Sequence, residues 1–530
     1  MPAWRKLRWN GAPRPTNLRA STSVRGQVVK EKTIIIIGAG VAGLAAGCYA
    51  QMNGYRSRIF ELHDLPGGLC TAWERKGYIF DGCIHYLFGS AEGQPFNRMW
   101  QELGAVQNRP MINHDEYQRI THGQHTLIVY ADPDRLEKHM QEIAPEDAAL
   151  IRAFCQGVRQ FTRFDMSVMY QKPKPLMKGQ DWGAMGLKML PFLLPLLRWG
   201  MIPTSSFAAR FKNPFLRRAV AQMFSWEEAP VMMGMSLLAY LHTGNAAFPA
   251  GGSLEFARAL ERRYVELGGE ICYKAQVEKI LTENGRAVGV RLYDDSVHTA
   301  DYVVSAADGR GTIFDMLDGA YVNSRIKKMY DGHLLTHSQV QISLGVKRDL
   351  SGQPHWVTHL LDEPVLIIGE PRREIGVKHY CFDSSLAPAG KSSVEIMIRS
   401  SYAYWQRIYG RRLYDTEQNQ VSDILINLLE GWHPGIRQDI ECVDEATPLS
   451  YERYTGNWLG STCGWLLTKE TMRMLITGVP KTLPGLQNFY MAGQWVEPGG
   501  SLPLAAASGK SAVQMICAAD GRPFVVQSPN

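Results

Sequence analysis

The 530-residue sequence has no apolar run long enough to cross a bilayer, no Cys-x-x-Cys pair, and no acid among its first 30 residues. Each absence removes a class of protein. The most apolar stretch, residues 182–203, is broken by Lys188, Pro191, Pro195 and Arg198, and falls short of the roughly 20 residues a spanning helix needs. The nine cysteines (Cys48, Cys70, Cys83, Cys155, Cys272, Cys381, Cys442, Cys463, Cys517) are scattered and odd in number, with none at zinc-ligand spacing from a histidine. They exclude a disulfide framework and a zinc module, and predict reduced thiols, no metal and a reducing compartment. Cys48 and Cys517 fall inside predicted helices, where a free cysteine acts as a small core hydrophobe. The formal charge of +6 is concentrated: residues 1–30 hold seven of the 57 Lys and Arg, which leaves 50 basic against 51 acidic residues in the body. That balance speaks against a nucleic-acid partner.

Residues 1–31 form a basic leader without an apolar run, so they are not a secretory signal. The composition fits a disordered leader, a start assigned too far upstream, a transit peptide, or a basic arm on anionic lipid. The expected location is cytoplasmic with peripheral membrane association, or organellar if the leader is a transit peptide.

What the sequence does contain is concentrated in residues 33–68. Ile34 to Ile37 read as a strand buried on both faces. They break into Gly38-Ala39-Gly40-Val41-Ala42-Gly43 and continue as an apolar helix to Met52. Gly38 permits the tight turn, Gly40 lets a pyrophosphate approach the backbone, and Gly43 lets helix and strand pack closely. The diphosphate would meet Ala39, Ala42 and unpaired N–H groups at the helix start. A second strand, Ser57 to Glu61, ends in the carboxylate that ribose hydroxyls require. Strand, turn, helix, strand and acid in this order predict a dinucleotide-binding unit. The doublet Gly67-Gly68 offers a second close backbone approach, which suits FAD.

Glu61 to Gly89, with Gly67-Gly68, Gly77-Tyr-Ile-Phe-Asp81 and His85-Tyr-Leu-Phe-Gly89, resembles the N-terminal FAD signature of the phytoene desaturase, carotenoid cis–trans isomerase and retinol saturase family. Thr447 to Asn457, Gly460 to Gly464 and the stretch Asn488 to Gly509 resemble C-terminal parts of the same family. The resemblance implies an α/β fold of the flavin amine oxidase and phytoene desaturase architecture, a Rossmann-like FAD-binding domain interleaved with an α+β substrate domain. The expected division assigns 32–110, 245–310 and 480–525 to the FAD-binding domain. It assigns 111–244, expected to be helical with a membrane-facing patch at 182–203, and 311–479 to the substrate domain. The patch has a second reading, a helical hairpin over the substrate cavity with its leucines in the core. The resemblance also implies that the Phe248 to Ser253 loop lies near the flavin, and that the strand carrying Val277 contacts adenine. Ser253 is expected to cap the helix Leu254 to Leu267.

The terminal motif reads as strand, glycine-rich loop and a helix with Pro503 near its first position. The N–H groups and positive dipole end of that helix suit the pyrimidine edge of a reduced flavin. Gly493, Gln494, Gly500, Ser501 and Leu502 are therefore the expected cofactor contacts here. Family members commonly carry an acid at the place of Gln494; an amide still bonds a hydroxyl or a diphosphate.

One glycine fingerprint is present and no second one for NAD(P)H. The expected redox partner is a quinone, oxygen or a separate electron donor. The resemblance implies a flavin-dependent oxidoreductase acting on a polyene or other unsaturated lipid, by desaturation, saturation or cis–trans isomerisation with hydride transfer at flavin N5. Glu497 and His85, on the two loops expected to flank the flavin, are the acid–base candidates. Two other readings remain open: an amine or amino-acid oxidase with Trp495 and Tyr86 flanking the flavin, and a prenyl-lipid escort protein without flavin chemistry. The aromatics Tyr402, Tyr404, Trp405, Tyr409, Tyr451, Tyr454, Trp458 and Trp465 are either the lining of an apolar tunnel or plain core.

Overall fold

The computed structural model describes residues 31–224 and 226–529; the leader expectation lies almost wholly outside them. The β-branched run Thr33–Ile37 forms β1, with Ile34 to Ile37 all buried. Gly38, at φ +96°, turns the chain into α1 (Val41–Met52), and β2 (Arg56–Phe60) returns parallel to β1. These strands lie inside a five-stranded, all-parallel sheet, in the order Glu270–Cys272, β2, β1, Tyr302–Ser305, Phe489–Met491. Three stretches far apart in sequence thus supply one sheet. The helix Leu502–Ala519 covers the same side as α1.

The helices owe their closeness to missing side chains. A Cβ on Gly43 would stand 1.9 Å from the Gly38 carbonyl oxygen, and one on Gly509 would stand 2.3 Å from that of Ala42. On another side of α1, a Cβ on Gly47 would meet the Tyr264 ring at 2.6 Å. Tyr264 belongs to the helix Gly252–Glu266.

A second sheet has seven strands, in the order Ile440–Ala446, Gln339–Val346, Ser392–Arg399, Glu370–His379, Trp356–Ile367, Glu116–His122, His125–Tyr130. Every neighbouring pair is antiparallel except Trp356–Ile367 with Glu116–His122. One of its faces is backed by the helix Tyr414–Trp432, which buries Leu425 and Leu429 against it.

Several expectations need correction. Residues 111–244 are not purely helical, because Glu116–His122 and His125–Tyr130 are strands whose alternation is masked by polar residues buried at the sheet, such as Gln118. The alternation of Ile271 to Ile280 predicts one strand, but the strand breaks after Cys272, where Lys274 takes φ +54°, and resumes as Val277–Glu283 in a separate antiparallel sheet. The alternation of His298 to Ser305 predicts another, which instead divides into Val297–Thr299 and Tyr302–Ser305 in different sheets. Ser253 is not a helix cap: Gly251, at φ +87°, precedes the helix, and the Ser253 hydroxyl is taken by Asp81. Most leucines of 182–203 are not core, although Leu196 packs against one. Leu187, Leu190, Leu194 and Leu197 are 73%, 61%, 77% and 69% exposed, whereas Trp199 is buried against Phe207 rather than displayed. Among the described residues no helix is long and apolar enough to cross a membrane.

Alanine raises intrinsic helix propensity over glycine by about 1 kcal/mol, but a clash against backbone costs more than ordinary overpacking of about 1–3 kcal/mol. Gly509→Ala is therefore expected to lower the thermal unfolding midpoint; an unchanged or raised midpoint would contradict the tight contact with α1.

Candidate dinucleotide and substrate site

Gly40 precedes α1 with extended backbone and no side-chain cap, so the first N–H groups of the helix carry no capping oxygen. The Gly67-Gly68 doublet lies directly against this turn. The Gly67 N–H donates to the Ala39 carbonyl at 2.9 Å, and a Cβ on Gly68 would stand 3.4 Å from the Gly40 Cα. Both glycines have positive φ, and a Cβ on Gly67 would lie 2.1 Å from the Cys70 carbonyl oxygen. The result is a backbone cradle that no larger residue could build.

Glu61 closes the cradle at the end of β2. Its carboxylate is buried and accepts the Ala39 N–H at 2.6 Å and the His63 N–H at 2.9 Å. Burial pushes its pKa up, opposed by those N–H groups. The adjoining chain runs alongside it, with the Ala275 N–H donating to the Glu61 carbonyl at 2.8 Å. Val277, two residues on, is buried in a core cluster with Phe60.

The terminal loop arrives at the same place. Gly493, at φ +100°, lies where a Cβ would be 3.8 Å from both the Ala42 Cβ and the Ala306 carbonyl oxygen; the Gly38 site faces that oxygen at 3.3 Å. The Gly493 N–H donates to the Ser508 hydroxyl at 2.7 Å, which ties the loop to the terminal helix. Gly500, at φ +56°, allows close passage by Cys463. Ser501 precedes the helix, and its buried hydroxyl has no partner; Leu502 begins it. Gln494 offers its side-chain amide no hydrogen bond among the described residues. A paired-glycine cradle, a buried carboxylate and an orphaned hydroxyl at a helix start fit a dinucleotide that carries further polar rings.

The two acid–base candidates are placed differently. Glu497 is nearly buried and forms an ion pair with Lys481, which is also nearly buried. Lys174 lies close to both and is held down to about 8 by burial, against the pull of Glu497. His85 follows the strand Tyr78–Asp81 and lines a separate cavity. Its Nδ1 is buried without a partner, and burial together with nearby Lys378 holds its pKa well below the usual imidazole value. The imidazole is therefore neutral.

That cavity was invisible in the sequence. Its apolar wall includes Tyr86, Tyr117, Phe248, Trp356 and Phe382, with His114, His355, Lys378 and Tyr380 at its polar edge. The aromatics of 402–465, read as tunnel lining or plain core, do not contribute to it; Trp405 and Trp465 are core, and Tyr409 and Tyr454 lie on the surface. Asp81 links cavity and cradle. Its Oδ1 accepts the N–H groups of Cys83 and Ile84 and the Ser253 hydroxyl, and its Oδ2 accepts the Ser253 N–H at 2.6 Å. One carboxylate thus orders both the turn that leads to His85 and the start of the helix that packs on Gly67 through Ala257.

The parallel sheet, glycine turn and terminal helix define a dinucleotide-binding protein of the flavin amine oxidase fold. A family model described as an NAD(P)-binding Rossmann-like domain matches residues 36–103. The solved structure of cyclohexylamine oxidase from Brevibacterium oxydans has this fold, with a TM-score of 0.59 over 93% of this chain and 100% of its own at 13% identity. Within that fold the chain is similar in sequence to carotenoid isomerases and desaturases. It is 25% identical to a chloroplastic prolycopene isomerase of Daucus carota, over 92% of this chain and 80% of the relative. It is 23% identical to a lycopene-forming phytoene desaturase of a Paracoccus species, over 92% of this chain and 97% of the relative.

A ribose-binding carboxylate contributes charge-assisted hydrogen bonds worth about 1.5–3 kcal/mol. Glu61→Gln is expected to weaken flavin binding by about tenfold to a hundredfold, measured by recovery of quenched flavin fluorescence on dilution; unchanged affinity would remove Glu61 from the site.

Proposed function

We propose that the protein is an FAD-dependent oxidoreductase acting on a polyene or other unsaturated isoprenoid lipid, by desaturation, saturation or cis–trans isomerisation. The observation that carries this reading is the meeting of the Gly38–Gly43 turn, the Gly67-Gly68 doublet and the Gly493 loop around Glu61 and Ala42. Similarity to the carotenoid isomerase and desaturase over 92% of the chain supports the substrate class. The bound flavin supplies hydride acceptance or donation at N5. Gly40 and the start of α1 would hold the diphosphate, Glu61 the ribose, and Ser501 and the terminal helix the pyrimidine edge.

The aromatic cavity would orient an apolar chain and exclude water. His85, a neutral base with Nδ1 facing no partner, is the better placed of the two acid–base candidates, because the Glu497 carboxylate is engaged by Lys481. With one dinucleotide site, the redox partner is a quinone, oxygen or a separate electron donor. An amine-oxidase reading is disfavoured by Trp495, which is buried among Tyr330, Trp458 and Trp465 instead of standing free beside a ring.

The segment 182–203 would rest in a bilayer interface. Its exposed Leu187, Leu190, Leu193, Leu194 and Leu197 lie with Lys188 and Arg198 close by, and Trp182 is partly exposed. A lipid substrate reaches a cavity most readily from such a surface. Nine unpaired thiols suit a reducing compartment.

The purified protein is expected to show flavin absorption bands. After anaerobic photoreduction it should respond spectrally to polyenes, and the oxidised form should not be reduced by amines; reduction by an amine with no response to any polyene would overturn the assignment. Replacing Leu187, Leu194 and Leu197 together by serine should lower partition onto anionic phospholipid vesicles about a thousandfold or more, from the loss of about 1.5 kcal/mol or more of apolar burial per leucine. Equal flotation of variant and parent would rule out the interfacial role.

A further inference from the structure

The polar edge of the aromatic cavity is unusual for a site that receives only hydrocarbon. Lys378 lies on the strand Glu370–His379, opposite Trp356 on one neighbouring strand and Glu395 on the other. Its side chain is 91% buried and its Nζ stands 4.1 Å from the centre of the Trp356 ring. Among the described residues it makes no hydrogen bond and no ion pair within 4 Å. One further polar atom on the same cavity, Nδ1 of His85, is buried without a partner, and the Tyr380 hydroxyl lies beside the Glu395 carboxyl. Glu116 also lines the cavity, but its carboxylate is taken by Arg119 at 2.9 Å.

Buried polar groups are satisfied in folded proteins as a rule, and an unpaired ammonium is the most costly exception. Two such groups, Lys378 Nζ and His85 Nδ1, converging on one apolar cavity mark the place of a ligand's polar atoms. We propose that this cavity receives the oxygen-bearing end of an otherwise apolar, unsaturated ligand, with Lys378 Nζ as the main donor and the Tyr380 hydroxyl and His85 Nδ1 beside it. This rests on the lipid reading above and narrows it: the substrate carries a carboxylate or hydroxyl at one end. The carboxyls behind the lysine do not do this work. Glu395 is buried, with its Oε1 taken by the Asp81 N–H at 2.8 Å and its other oxygen left to the Tyr380 hydroxyl. Burial and the neighbouring Asp81 push Glu395 well up toward its neutral form, and burial holds Lys378 down to about 7. An anionic ligand end would add counter-charge to the partial pull that Glu395 and Asp81 exert on the lysine.

The test uses the flavin-loaded protein and a matched series of retinoic acid, retinol and the parent hydrocarbon, with affinity read from perturbation of the flavin spectrum. The acid should bind about tenfold to a hundredfold more tightly than the hydrocarbon, with the alcohol between them. Lys378→Met, which keeps the volume and removes the charge, should abolish that preference while retaining the hydrocarbon's affinity. Lys378→Arg should restore part of the preference. Equal affinity across the series, or an acid preference that survives in Lys378→Met, would overturn this assignment alone. Binding of none of the three would overturn it together with the lipid reading.

Discussion

The architecture depends on how little side chain α1 carries. Gly43, Gly47 and Ala42 let three partners reach its backbone: the turn at Gly38, the ring of Tyr264, and the terminal helix at Gly509. Each contact falls at a distance that a single methyl group would forbid. The chain therefore comes back to α1 from two distant stretches, and both contacts brace the glycine loops. A cradle made of backbone needs this kind of support, because glycine-rich loops gain no rigidity from their own side chains.

A buried carboxylate joins that cradle to the rest of the molecule. Asp81 accepts four hydrogen bonds from Cys83, Ile84 and Ser253, and its own main chain is held by Glu395 and by the Gln341 amide, which donates to the Asp81 carbonyl at 3.0 Å. Glu395 and Gln341 belong to the seven-stranded sheet. The cavity wall and the cofactor cradle are thus registered against each other through carboxyl and amide groups as well as through apolar contact. Directional bonds fix position more sharply than oil-like packing, which matters where a reacting carbon must meet a ring atom.

The β1–α1–β2 unit was legible because its glycines, its helix and its acid follow one another in sequence, each with a local physical reason. The terminal helix was legible for the same cause, through Pro503 and the glycines before it. What could not be read was anything defined by contact between distant strands. Lys378 sits in a stretch with Arg372, Arg373 and Glu374 that looks like a solvated strand or loop, and only its opposition to Trp356 and Glu395 reveals a buried site. Ser253 resembled a helix cap because it stands two places from the right position; the competing acceptor, Asp81, is 172 residues away. The strands at 116–130 escaped notice because buried Gln118 breaks the simple alternation of apolar and polar residues.

The indoles of Trp458, Trp465 and Trp495 have ring centres 4.9 to 6.3 Å apart, with Tyr330 beside them, and Trp495 is adjacent in sequence to Gln494 on the terminal loop. Chromophores this close share their excitation before emitting it. A yellow ring held by that loop would absorb where the indoles emit, so the ultraviolet glow of the protein would dim as the ring settles and brighten as it leaves. The cluster that braces the loop is thereby also a built-in optical gauge of occupancy.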